Sequence, residues 1–93
     1  MRILVINPNA SVEMSDVIRD QLASVARPDT CVVVVNPPGA PPAIESALDE
    51  AQCVPPTLEL VAQARPDGFD AVVIACFSDP GLDAAREATR LPV

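Results

Sequence analysis

The chain has 93 residues, enough for one small domain, and 49% of them are hydrophobic, which excludes global disorder. A net charge of −7, six arginines without a lysine, and two aromatics (Phe69 and Phe77) supply neither the basic surface nor the stacking platform of a nucleic-acid binder. No apolar run is long enough to cross a bilayer and no signal-peptide pattern opens the chain, so a cytoplasmic protein without a membrane partner is the expectation.

Ile3-Leu4-Val5-Ile6 is a continuous β-branched and aliphatic run, and it predicts a strand buried on both faces. It stops at Asn7-Pro8-Asn9. Ser11 then reads as the N-cap of a helix whose apolar stripe is Ile18, Leu22 and Val25, and which must end before Arg27-Pro28. Val32-Val33-Val34-Val35 predicts a second strand, closed by Asn36-Pro37-Pro38-Gly39. Pro41 and Pro42 prolong the following loop, and Ile44 to Ala51 can add a helical turn or two. A second helix is expected to start at Pro55 or Pro56 and to bury Leu58, Val61 and Ala62. The run Ala71-Val72-Val73-Ile74-Ala75 predicts a third strand. Asp79-Pro80 then reads as N-cap and first helical residue of a third helix that runs to about Thr89. Leu91-Pro92-Val93 reads as the entrance to a fourth strand.

Strands that alternate with helices imply a parallel sheet with right-handed crossovers. The expected fold is therefore an α/β three-layer sandwich with a flavodoxin-like sheet in the order 2-1-3-4. In that order the winding reverses between the first and third strands, and ligands of open α/β sheets bind beyond the carboxyl ends at such a point.

Two segments follow those strand ends. One carries Asn7, Pro8, Asn9 and Ser11; the other carries Cys76, Phe77, Ser78 and Asp79. A cysteine just ahead of a helix N-terminus has its thiolate stabilised by unpaired N–H groups, which matters in a chain without histidine. The alternative is a small apolar core residue. Asn7 and Asn9 can donate to carbonyls and accept from N–H groups, which suits an amide, imide or carboxylate ligand; they also suit an ordinary turn and helix start. Glu45 and Ser46 lie in the long loop on the same side of the sheet. Cys31 falls at the opposite edge and reads as structural, whereas Cys53 can approach the carboxyl edge. Three glycines and no phosphate-loop motif argue against a nucleotide, and the missing histidines and unclustered carboxylates argue against a metal.

The segments RILVINPNAS, AIES and FDAVVIACFSDPGL together resemble the N-terminal half of the hydantoin/allantoin racemases of the Asp/Glu racemase superfamily. ACF-x-DPGL is the specific part, and NPN-x-S supports it. The resemblance covers essentially the whole chain, residues 1–93. It implies one α/β lobe of a two-lobed fold, with the C-terminal lobe absent, and hence an N-terminal fragment. It further implies a cofactor-independent isomerase that moves a Cα proton between two cysteines, one from each lobe, with Cys76 as the first. Asn7 and the backbone at Phe77 and Ser78 would lie beside a 5-substituted hydantoin, allantoin or acidic amino acid. The resemblance also implies a homo-oligomer for the full-length protein, as the family tends to form. The chain departs from the family pattern at Ser78, where many members carry Gly, and at Ala10, where many carry Thr. Outside the racemases, the residues also suit a non-catalytic flavodoxin-like module that binds a small anion or a partner chain.

Overall fold

A computed structural model describes all residues, Met1 to Val93. Three strands, β1 (Arg2–Ile6), β2 (Cys31–Val35) and β3 (Ala71–Ile74), alternate with three helices, α1 (Val12–Val25), α2 (Ala47–Ala64) and α3 (Leu82–Ala88). The sheet is parallel with order β2-β1-β3; Ile6 pairs with Val35 on one side and with Ile74 on the other. No fourth strand forms. Leu91–Val93 nevertheless runs beside β3, since the Val72 N–H donates to the Pro92 carbonyl at 2.9 Å.

The register sorts the side chains into two faces. Leu4, Ile6, Val72 and Ile74 point one way and form the core with Val61 and Ala64 of α2 and Ala85 of α3. Val5 and Val34 are buried on the other face, where α1 packs against β2 through half-buried Ile18 and Leu22. Val25, expected in that stripe, is 74% exposed, and half-buried Ala26 continues the row of Ile18 and Leu22 instead. Only β1, the central strand, is buried in succession on both faces at Leu4, Val5 and Ile6. In β3 the α1 side is uncovered, and Val73 is 45% exposed.

The second helix begins well before the expected proline pair. Ser46 caps it, its hydroxyl accepting from the Asp49 N–H at 3.1 Å, while Asp49 Oδ2 takes the Glu45 N–H at 2.9 Å. This reciprocal arrangement satisfies donors that a helix start otherwise leaves open. Pro55 and Pro56 then sit inside the helix. Each lacks a donor to the residue four back, at a cost of about 3 kcal/mol in a helix interior. The carbonyls left unpaired belong to Ala51 and Gln52, both exposed and open to water, while Cys53, Thr57, Val61 and Ala64 form the buried stripe.

The third helix begins two residues later than expected. Asp79 does not cap it: its N–H closes a turn onto the Cys76 carbonyl at 3.1 Å and its backbone is left-handed, φ 50°. The following proline disfavours the helical region at Asp79, and aspartate is among the few residues that tolerate the left-handed one. Gly81, at φ 73°, occupies the cap position and makes no side-chain bond. Its missing Cβ also leaves room for Val54 of α2, whose Cγ1 would stand 3.0 Å from that atom.

Candidate active site

The carboxyl end of the sheet gathers three loops. The Ala75 N–H donates to the Ile6 carbonyl at 2.8 Å, and the Asn7 N–H donates to the Val35 carbonyl at 2.9 Å, so all three strand ends are stitched level. The Ala10 N–H, bonded to the Pro41 carbonyl at 2.9 Å, ties the first loop to the second. Winding reverses between β1 and β3, the position at which open α/β sheets take their ligands.

Cys76 follows β3 there and is half-buried. Its Sγ lies 3.6 Å from the Ser78 hydroxyl. The seven-residue α3 starts at Leu82, so the thiol does not stand directly ahead of a capped helix as expected. What surrounds it instead is a tight turn in which the backbone N–H groups of Phe77 and Ser78 donate to nothing within the chain. Phe77 projects fully into solvent, at 106% of its reference exposure.

Ser78 also meets the loop after β2. Together with Ile44, Glu45, Ser46 and Glu50 it lines an open depression of about 350 Å³. Glu45 and Ser46 therefore stand near the cysteine loop, although the Ser46 hydroxyl is engaged as a helix cap. Cys53, fully buried one turn beyond Glu50, donates its thiol proton to the Glu50 carbonyl at 3.2 Å. Burial pushes this thiol above its ordinary 9.0, and the charges of neighbouring Cys76 and Glu50 push it the same way. Cys31 lies exposed at the amino end of β2, the opposite edge.

Asn7, Pro8, Asn9 and Ser11 form a second cluster, which bonds to α1 and not to the cysteine loop. Asn7 is 2% exposed, and its amide nitrogen donates to Asn9 Oδ1 at 2.9 Å and to Ser15 Oγ at 3.2 Å. Pro8 is buried beside it. Ser11 is the expected N-cap, accepting from the Met14 N–H at 3.1 Å. The sequence reading missed two members of this cluster, Ser15 and Asn36. A signal was present: Asn36-Pro37 repeats Asn7-Pro8 at the end of the adjacent parallel strand, and Ser15 lies one helical turn beyond Ser11.

The match to known proteins is extensive. Residues 3–93 fit the family model described as Asp/Glu/Hydantoin racemase. The chain belongs to that family. It is 46% identical over 93 residues to a hydantoin racemase of Pseudomonas sp. (strain NS671), and 45% identical over 94 residues to one of Paenarthrobacter aurescens. All of the chain is aligned in both cases, against 37% and 40% of those relatives' lengths. Among solved structures, allantoin racemase from Klebsiella pneumoniae superposes with a TM-score of 0.89 at 45% identity, over 94% of this chain and 36% of that one. The chain thus spans well under half the length of the family members it matches.

Proposed function

We propose that this chain is the N-terminal lobe of a cofactor-independent racemase that acts on 5-substituted hydantoins, allantoin or a related acidic amino-acid derivative, with Cys76 as one of two acid/base groups. The observation that carries the reading is a half-buried thiol at the reversal point of the sheet, followed at once by two N–H groups without partners.

The chemistry follows from that arrangement. The Cys76 thiolate takes the proton from the substrate carbon that bears the side chain, and the electron pair left behind spreads onto the adjacent carbonyl oxygen. Sulfur is a workable general base near neutral pH. The Phe77 and Ser78 N–H groups are donors for the developing oxyanion, and fixed donors of this kind stabilise the transition state more than the ground state. Return of a proton from Cys76 restores the starting enantiomer. Delivery from the opposite face gives the other one, and this reading assigns that step to a cysteine of a second lobe. In this reading Glu45 and Ser78, which line the depression, contact the substituent end of the ligand.

The test is deuterium uptake at C5 of a 5-monosubstituted hydantoin in D₂O, with optical rotation followed in parallel, for the chain and for Cys76→Ser. Exchange above buffer that disappears in Cys76→Ser, with rotation at the background rate, is the expected result. Exchange equal to buffer in both proteins would overturn the reading. An exposed Phe77 beside the thiol also favours a second reading, a module that docks a partner chain; light scattering that detects stable self-association lost in Phe77→Ala would support it.

A further inference from the structure

The hydrogen-bond network beside the first loop has a fixed direction. Asn36 Nδ2 donates to the backbone carbonyls of Asn9 at 2.7 Å and Ser11 at 3.2 Å. Both partners accept only, so this end of the Asn36 amide is the nitrogen and Oδ1 is the oxygen. Ser15 donates its single hydroxyl proton to that oxygen at 2.7 Å. Its proton spent, Ser15 Oγ can only accept from Asn7, at 3.2 Å.

Asn9 fixes the same end of the Asn7 amide. The Ser11 N–H donates to Asn9 Oδ1 at 2.9 Å, so Asn9 also offers Asn7 an oxygen, again at 2.9 Å. Two independent anchors in the backbone therefore force the Asn7 nitrogen towards α1. Its carbonyl oxygen, on the other corner of the planar amide, takes no hydrogen bond within the chain. Nor is it sealed in, because the Thr57 hydroxyl alone is both fully enclosed and without a partner. A residue 98% enclosed thus keeps one acceptor open at the carboxyl end of the central strand, the complement of its 2% exposure. An amide free to rotate would present donor or acceptor as a ligand required; this one cannot.

We propose that Ser15 and Asn36 are positioning residues that lock Asn7 as a hydrogen-bond acceptor, so that the site selects ligands presenting an N–H to the end of β1. The ligand class rests on the racemase reading: a hydantoin ring carries two N–H groups, and the lock makes one of them obligatory. The lock itself stands on the hydrogen bonds alone.

Two measurements separate these parts. In the ¹⁵N-labelled chain, the Asn7 side-chain amide protons are expected to exchange with solvent about tenfold or more slowly than those of exposed Gln52 and Gln63. Ser15→Ala, which removes one of the two side-chain oxygens facing the Asn7 nitrogen, adds no bulk and leaves the Asn9 anchor, should weaken that protection. Asn36→Asp, which keeps the acceptor for Ser15 but loses the donors to Asn9 and Ser11, should weaken it. Protection unchanged in both variants would overturn the lock. The second measurement is binding of 5-methylhydantoin and its 1-methyl and 3-methyl derivatives by chemical-shift titration. Methylation of one ring nitrogen should cost about tenfold in affinity for the chain and measurably less for Ser15→Ala, in which the Asn9 anchor alone orients the amide. Equal discrimination in both would overturn the selection. Failure of every hydantoin to bind, with protection intact, would sink the ligand assignment and leave the lock standing.

Discussion

Ala75 and Ile6 are joined by a 2.8 Å backbone hydrogen bond, and this bond sets Cys76 and Asn7 as the next residues on two adjacent strand ends. Their side chains go separate ways. The thiol approaches Ser78, while the Asn7 amide is held by Asn9 and Ser15. The carboxyl edge therefore has one part that carries a thiol and another held by a hydrogen-bond network, and variants can address each separately.

The three cysteines should differ sharply in reactivity. Iodoacetamide at pH 7.5, followed by peptide mass spectrometry, should label exposed Cys31 and half-buried Cys76 and spare fully buried Cys53. The Cys53 thiol is held above its ordinary 9.0 chiefly by burial. In the unfolded chain it ionises near that value and in the folded chain it does not, so unfolding releases a proton. The neutral thiol's contribution is present in full below pH 9.0 and is lost as pH climbs towards the folded value. Urea midpoints should fall above pH 9, and Cys53→Ala should flatten that decline.

Ser46→Ala removes the cap of α2 and should cost about 1 kcal/mol at neutral pH, read as a lower urea midpoint with unchanged slope. The acid side follows from Asp49, whose carboxyl is held below its ordinary 3.8 first by the Glu45 backbone N–H and then by the Ser46 hydroxyl. A depressed value means stability present above 3.8 and lost as pH falls through the folded value. Asp49→Asn should therefore remove part of the acid sensitivity seen between neutral pH and pH 3.

Gly81→Ala should destabilise by about 1–3 kcal/mol, because an L residue is strained at a left-handed backbone. The added methyl would also meet Val54 at 3.0 Å. Val54→Ala in the same chain should recover the steric part and leave the backbone part, measurable as a double-mutant cycle in urea.

Thr57→Val should raise stability by about 1 kcal/mol. The Thr57 hydroxyl is fully buried without a partner, and replacing it by a methyl of similar size removes a desolvation cost while the packing stays. A fall in the urea midpoint would mean that the hydroxyl is satisfied in solution.

Much of this architecture can be read from local pattern. The run Ile3 to Ile6, the Ser11 cap and the stop before Pro28 all depend on residues close in sequence, and each appears where pattern puts it. Cys76 could be sited because a strand end and a topology rule suffice. The misreadings have a common physical origin: proline admits more than one neighbourhood. Pro55-Pro56 suggests a helix start, yet the Ser46–Asp49 cap opens the helix nine residues before Pro55, and the prolines are carried inside it with the carbonyls of exposed Ala51 and Gln52 left to water. Asp79-Pro80 suggests a cap, yet the proline drives Asp79 out of the helical region. Ser15 and Asn36 escaped because their partnership is tertiary, a 2.7 Å bond across 21 positions of sequence.

The parallel register carries a consequence for synthesis. Arg2 of β1 bonds to Asp70, just ahead of β3, across 68 positions, and β1 lies between both other strands. At ribosomal speeds of roughly 5–20 residues per second, covering those 68 positions takes about 3 to 14 s. During that interval the strand destined for the centre of the sheet has an unmated edge. The nascent chain is then most exposed to chaperones and to its own neighbours on the polysome, and the arrival of Ala71 to Ile74 closes the window.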